Sequence, residues 1–211
     1  MSRPKRSKLS KENLAYRGVP RDYFDATLEQ YPIDASKKKL VKNFINNFPE
    51  MLADGQSLIM YGSNGSGKTY LSAIIVKEAY RYRYSSFLIT LQSLIDLKFK
   101  SNRDEDAREK IQKIYDAEFL VIDEVGKETF SEKLFNVTLL EELLRYRDTK
   151  GTSTIICTNL PLDTKDGLYE QYGKSISSLI KGNFVKLKYT EEDNRTSVTR
   201  QKKSIKLLFG E

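Results

Sequence analysis

Residues able to do phosphate chemistry stand in two short stretches. The first is Gly62-Ser63-Asn64-Gly65-Ser66-Gly67-Lys68-Thr69, which fits G-x-x-x-x-G-K-[ST] without a gap. An apolar run of strand length, residues 57–61, precedes it. Tyr70 to Tyr84 follow without Pro or Gly, repeating Leu71, Ile74, Ile75 and Ala79 at helical spacing. Strand, glycine loop and helix are the context in which this pattern binds a nucleotide. The glycines let backbone N–H groups turn toward an anion, and the helix N-terminus adds its dipole. Lys68 can reach the β- and γ-phosphates, and Thr69 can hold Mg2+. The bland alternative is a tight turn that binds no phosphate.

The second stretch is Phe119-Leu120-Val121-Ile122-Asp123-Glu124. Four apolar residues bury a strand, and Asp123 emerges at its carboxyl end, where ligands of α/β sheets sit. Asp123 fits a metal-supporting role beside Thr69, and Glu124 has the placement to orient and polarise an attacking water. Hydrolysis is favoured over transfer to a small acceptor, because a small-molecule kinase must exclude water. Ser153-Thr-Ile-Ile-Cys157-Thr158-Asn159 repeats the design. Asn159 can hydrogen-bond the γ-phosphate or the attacking water, while Asn-Leu-Pro alone would also make a good turn. Cys157, inside the strand, reads as a core residue.

The elements that must carry these groups alternate. Strands are expected at 57–61, 86–91, 118–124, 152–158 and 184–189, with a short one at 204–209. A helix capped by Ser36 should run to about 52 with Leu40, Val41, Phe44, Ile45 and Phe48 on one side. Others are expected at 70–84, 92–98, 105–115, 131–147 and 168–180. The fifth of these six carries Leu134, Phe135, Leu139, Leu143 and Leu144, and the last contains Gly173. Such alternation gives a parallel sheet with helices on both faces. Lys37, Lys38, Lys39 and Lys42 oppose the dipole of their helix and read as a solvated face. Tyr23, Phe24 and Tyr31 could pack on the nucleotide base or on the domain edge, and edge packing is favoured.

Composition narrows the class. The 211 residues are 39% hydrophobic with a net charge of +7, one cysteine and no histidine. Histidine-activated nucleophiles and zinc–His sites are therefore excluded, and no disulfide framework exists. No apolar run spans a membrane and no signal segment follows the basic N-terminus, so a cytoplasmic chain without a membrane partner is expected. Residues 1–21 hold Arg3, Lys5, Arg6, Lys8, Lys11, Arg17 and Arg21 against Glu12, and the last twelve hold Arg200, Lys202, Lys203 and Lys206 against Glu211. Such ends suit phosphate-backbone contact or simple solubility. The expected division is a basic flexible arm at 1–20, an ATPase domain at 21–195 and a basic tail at 196–211.

Taken together, Gly18-Val-Pro-Arg-Asp-Tyr-Phe-Asp-Ala-Thr-Leu-Glu29, the glycine loop, Leu120-Val-Ile-Asp-Glu-Val-Gly126, Arg145-Tyr-Arg147 and Thr158-Asn-Leu-Pro161 resemble an AAA+ ATPase. More narrowly they resemble the helicase loaders of the DnaC/DnaI kind and the related transposition helper ATPases of the IstB kind, over residues 17–195. The resemblance implies a P-loop NTPase with a five-stranded parallel sheet in the order 5-1-4-3-2, flanked by helices, its helical lid reduced or absent. It implies Lys68 and Thr69 as Walker A residues, Asp123 and Glu124 as Walker B, Asn159 as sensor 1, and ATP with Mg2+ as ligands. It further implies a grip on single-stranded DNA or on a replicative hexameric helicase, with Lys98, Lys100 and Arg103 on the DNA-facing segment. Arg195 matches a basic residue usual after the fifth strand, a candidate sensor. Ser178 stands where an arginine finger is usual, which weakens the expectation of a homo-oligomer; Lys174 or Lys181 could substitute, without the planar fork of arginine.

Three functions are consistent with this reading. The first is a helicase loader or replication accessory ATPase encoded by a phage or mobile element. The second is an IstB-like helper that binds duplex DNA and a transposase. The third is a non-catalytic, nucleotide-dependent protein that mimics or antagonises a loader.

Overall fold

The computed structural model describes residues 9–31, 35–129 and 133–189 of the chain. In chain order the helices and strands are α1 (Lys11–Tyr16), α2 (Ala35–Asn46), α3 (Phe48–Ala53), β1 (Ser57–Gly62), α4 (Lys68–Arg81), β2 (Ser86–Thr90), α5 (Leu91–Lys100), α6 (Glu105–Tyr115), β3 (Phe119–Val125), α7 (Lys133–Lys150), β4 (Ser153–Thr158), α8 (Leu168–Asn183) and β5 (Phe184–Tyr189). The five strands lie in the order β2-β3-β4-β1-β5, which is the expected 5-1-4-3-2 read from the other edge. Every pairing is parallel. The carboxyl ends of β1, β3 and β4 therefore meet at one rim of the sheet.

Alternation along each strand divides the core. Leu58 and Met60 of β1 join Val121, Ile155, Cys157, Val185 and Leu187 on one face, under α2, α3 and α4. Ile59 points the other way, with Leu120, Ile122, Ile156 and Phe184, under α5 to α8. A parallel strand buried on both faces reads as a continuous apolar run, as β3 and β4 do. One side chain crosses this logic. The Arg147 guanidinium is fully buried and donates to Thr154 Oγ1 and to the carbonyls of Tyr115, Ala117 and Ser153 at 2.7–2.9 Å. It ties α6 and the turn before β3 to α7 and β4, and burial draws its pKa down to about 9.

Four expectations change. The single helix from Ser36 to about Leu52 is two helices, broken at Asn47. Pro49 stands at the first turn of the second, where its missing N–H costs nothing, but it could not continue the first. Leu134 is not on the apolar side of α7: it is 82% exposed, and buried Leu139, Leu140, Leu143 and Leu144 define that side. Part of the segment expected as a flexible arm is ordered. Residues 9–20 include α1, capped by Ser10, and bury Leu14 and Val19 against the core. Arg17 then holds the edge strand β2, its carbonyl accepting from Leu88 N and its guanidinium donating to Ser86 O. Gly173 does not continue α8 as a helical residue; it takes φ 80° and kinks it. The Ser36 cap, Lys37, Arg195, the strand at 204–209, the span after β5, Arg3, Lys5, Arg6 and Lys8, and the basic residues of the last twelve lie outside the described side chains. Among the described residues, no helix is long and apolar enough to cross a membrane.

Candidate nucleotide site

The glycine loop joins β1 to α4 in a form that only glycine permits at two places. Gly62, with φ 133°, passes so close to the end of β5 that a Cβ would come within 1.6 Å of Tyr189 O. Gly67, with φ 87°, is the cap residue of α4, and a Cβ there would meet the Tyr31 ring at 2.7 Å. Tyr31 is the support that sequence reasoning missed. It is wholly buried beneath the loop, stacks on Tyr70 at 5.0 Å, and donates its hydroxyl to Gly67 O at 2.8 Å. The expected packing of these aromatics on the domain edge is not what is found: Tyr31 lies under the phosphate loop, and Tyr23, which meets Tyr70 edge-on at 5.6 Å, lines the cleft beside it. Lys77 fixes the segment that carries them, donating to the carbonyls of Tyr23, Phe24 and Ala26. In the sequence Lys77 was one more lysine on a helix, and only the fold reveals its burial.

Lys68 leads α4 with its ammonium turned back into the loop, donating to Gly62 O, Ser63 O and Ser66 Oγ at 2.7–3.1 Å. Burial lowers its pKa, with Lys127 adding repulsion and Asp123 opposing it. Next in sequence, Thr69 donates to Asp123 Oδ2 at 2.7 Å. The other Asp123 oxygen accepts from Glu124 N at 2.8 Å, and the residue is 4% exposed.

A bulge separates the two carboxylates. The β3–β4 register shifts between Ile122 and Val125, and Glu124 adopts φ 56°, uncommon for a residue with a side chain. Asp123 stays in the rim while Glu124 turns outward, where its Oε1 pairs with Lys127 Nζ at 2.9 Å. Gly126 N donates to the buried Glu128 carboxylate at 2.9 Å, and Tyr172 OH donates to the same group. Glu128 and Lys127 were not singled out from sequence; their only signal is charge within four residues of the strand-end pair. In β4, Thr158 is structural, donating to Val125 O and accepting from Leu160 N.

These elements enclose a cleft of about 200 Å3, lined by residues 64–70 and by Asp123, Glu124, Lys127 and Asn159, with Cys157 at its floor. Burial pushes the Cys157 thiol well up, and its sulfur lies 3.2 Å from Ser72 Oγ. The core assignment of Cys157 agrees. Lys98, Lys100 and Arg103 are not among the cleft residues: they mark the end of α5 and the turn after it, with Lys100 paired to Asp104 at 2.9 Å. Ser178 is exposed on α8, also away from the cleft lining.

The donor set fits a magnesium–nucleotide. Ser63 Oγ is buried without a hydrogen-bond partner among the described residues, and a Cβ at Gly65 would meet nothing within 4 Å. A hydroxyl and a carboxylate side by side can hold a hard cation that takes its other ligands from phosphate and water. No cluster of three or more acidic, histidine or cysteine residues that could hold a metal alone occurs among the described residues.

Comparison with known proteins gives three findings. The family model described as IstB-like ATP binding protein matches residues 24–177. The replicative helicase loader DnaI of Bacillus subtilis (strain 168) is 25% identical over 149 residues, 69% of this chain and 47% of that protein. This chain therefore spans about half the length of the curated relative it matches. Among solved structures, the DnaC helicase loader superposes with a TM-score of 0.67 at 24% identity, over 81% of this chain and 99% of that one. The replication initiator DnaA bound to AMPPCP and single-stranded DNA gives 0.65 at 18% identity, over 84% and 52%.

Proposed function

The chain belongs to the family of IstB-like ATP binding proteins, and we propose that it is an ATP-hydrolysing helicase loader that grips a replicative hexameric helicase and single-stranded DNA. The observation that carries the ATPase reading is the meeting of Thr69 and Asp123 at 2.7 Å, with Glu124 beside them at the rim. Gly62 to Lys68 would wrap the phosphates. Thr69 and Asp123 would hold Mg2+, which when bound neutralises charge on the phosphate oxygens. Glu124 would accept a proton from water as its oxygen bonds to the γ-phosphorus. The β–γ bridging oxygen would leave with the bond pair on ADP. Asn159 would orient that water or the γ-phosphate.

The loader role rests on the similarity to DnaI, itself a replicative helicase loader, across the ATPase core. Lys98, Lys100 and Arg103 would track a strand's backbone without reading its sequence. Arg195 and the basic ends would add to that field or to the nucleotide site. We place the ATPase domain at residues 21–195, with residues 9–20 packed against it, and a basic tail at 196–211. The match to the IstB-like family keeps one other reading, a helper that would bind duplex DNA and a transposase.

One experiment separates them. The chain is mixed with the host's replicative helicase and either single-stranded or duplex DNA, in ATP, ADP or no nucleotide, and complexes are sized. A helicase complex that depends on ATP supports the loader. No helicase complex in any nucleotide state, with ATP-dependent assembly on duplex DNA, would establish the helper instead.

A further inference from the structure

We propose that Lys127 is a cation for the γ-phosphate supplied by the chain itself, its ammonium exchanging Glu124 for the terminal phosphate when a triphosphate binds. The inference deepens the ATPase reading above and rests on it.

The backbone under Lys127 is pinned. Its N–H donates to Glu124 O at 3.0 Å, closing a turn. Within that turn Gly126 takes φ 94° and is held by Glu128, and a Cβ on it would meet Leu160 at 2.4 Å. The side chain is not pinned. Its ion pair with Glu124 joins groups 45% and 47% exposed. A pair so exposed to water holds its two groups only weakly. A terminal phosphate, carrying more charge than one carboxylate, competes well for the same ammonium.

Among the described residues the cleft offers no better candidate. Its lining ammoniums are Lys68 and Lys127. Lys68, bonded to two loop carbonyls and a loop hydroxyl, belongs to the phosphate loop itself, which leaves Lys127 as the second ammonium. Lys174 and Lys181 on α8 line a separate open surface with Ser178, and Lys181 faces Asp163 at 3.7 Å. Lys127 is the lysine whose present partner is the water-activating group itself.

That pairing gives the exchange a second effect. While the pair holds, the Glu124 oxygen that would meet water is occupied by the Lys127 ammonium. With a diphosphate bound, Lys127 stays on Glu124 and the base is held. With a triphosphate bound, Lys127 moves to the phosphate and Glu124 is released toward water.

The test titrates Mg2+ with β,γ-methylene-ATP or with ADP into the full chain and its Lys127→Ala and Lys127→Arg variants, and follows ATP turnover in parallel. For Lys127→Ala the expected result is about a tenfold weaker triphosphate affinity, ADP affinity within about twofold, and a lower kcat. Lys127→Arg should restore the triphosphate preference. Equal losses for both nucleotides would mark a structural role and overturn the proposal. So would an unchanged triphosphate affinity or a faster kcat in Lys127→Ala. If the wild-type chain binds neither nucleotide, the ATPase reading itself fails, a result distinct from any of these.

Discussion

Thr69 Oγ1 donates to Asp123 Oδ2 across 54 positions of sequence, and this hydrogen bond joins the start of α4 to the end of β3. The two oxygens are brought together by parallel pairing: β3 reaches β1 through β4, and all three strands finish at one rim. Asp123→Asn keeps the shape and removes the charge. It should weaken Mg2+-dependent nucleotide binding about 10–100-fold, the range seen when metal-site partners are lost, and leave binding in EDTA nearly unchanged. Titrations with and without the metal check this. Equal effects in both would mean that Asp123 shapes the loop rather than holding the cation.

Beneath the loop, Tyr31 donates to Gly67 O and fills the space that a side chain at 67 would need. Tyr31→Phe should cost about 1 kcal/mol, the net worth of one hydrogen bond. Tyr31→Ala should cost about 3–5 kcal/mol, the usual price of an aromatic cavity. Urea unfolding measures both. A Tyr31→Ala protein as stable as Tyr31→Phe would show that the ring does not support the loop.

Arg147 makes a different kind of prediction. Arg147→Met matches its length but leaves the carbonyls of Tyr115, Ala117 and Ser153 without their donor. The expected loss is about 3–5 kcal/mol, since the partners remain buried. Lys127→Ala, on the surface, should change stability by no more than about 0.5 kcal/mol. Similar unfolding midpoints for the two variants would contradict the role assigned to Arg147.

Alkaline pH should unfold the protein. Burial raises the phenol pKa of Tyr31, Tyr115, Tyr169 and Tyr172, that of Tyr115 to about 12 and the others further. Below the ordinary phenol value near 10, folded and unfolded chains hold these protons alike. Above it the unfolded chain releases protons that the folded one keeps, so stability falls as pH rises. The slope for each such phenol is about 1.4 kcal/mol per pH unit at most. Arg147, Lys68 and Lys77, with lowered pKa values, work the other way, but they stand against these four phenols together with Tyr84 and Cys157, whose pKa values burial also raises. Unfolding followed from pH 8 to 11 should show the midpoint dropping above 10. A flat profile would contradict it.

Much of the site was legible in sequence because its parts are local. The loop from Gly62 to Thr69 and the end of β3 are each continuous, and each stretch carries its own apolar strand. The order of strands came from the resemblance, and parallel pairing then brings the stretches together. What could not be read depends on partners far along the chain. Tyr31 finds Gly67 across 36 positions, and Lys77 finds the carbonyl of Phe24 across 53. Nothing in either neighbourhood announces those contacts. The break at Asn47 was readable, since Pro49 was in plain view, but the apolar spacing of Phe44, Ile45 and Phe48 ran straight across it. The outward turn of Glu124 was not, because a left-handed glutamate has no signature in an apolar strand.

The most direct measurement is a single turnover, with protein in excess over γ-labelled ATP and Mg2+, following bound nucleotide and released phosphate together. Wild type should bind ATP and release phosphate. Glu124→Gln should bind it and release phosphate about 100- to 10,000-fold more slowly, the weight of a positioned base, and Lys68→Ala should retain little ATP. Phosphate release from Glu124→Gln at the wild-type rate, or ATP retained by Lys68→Ala as well as by wild type, would contradict the account.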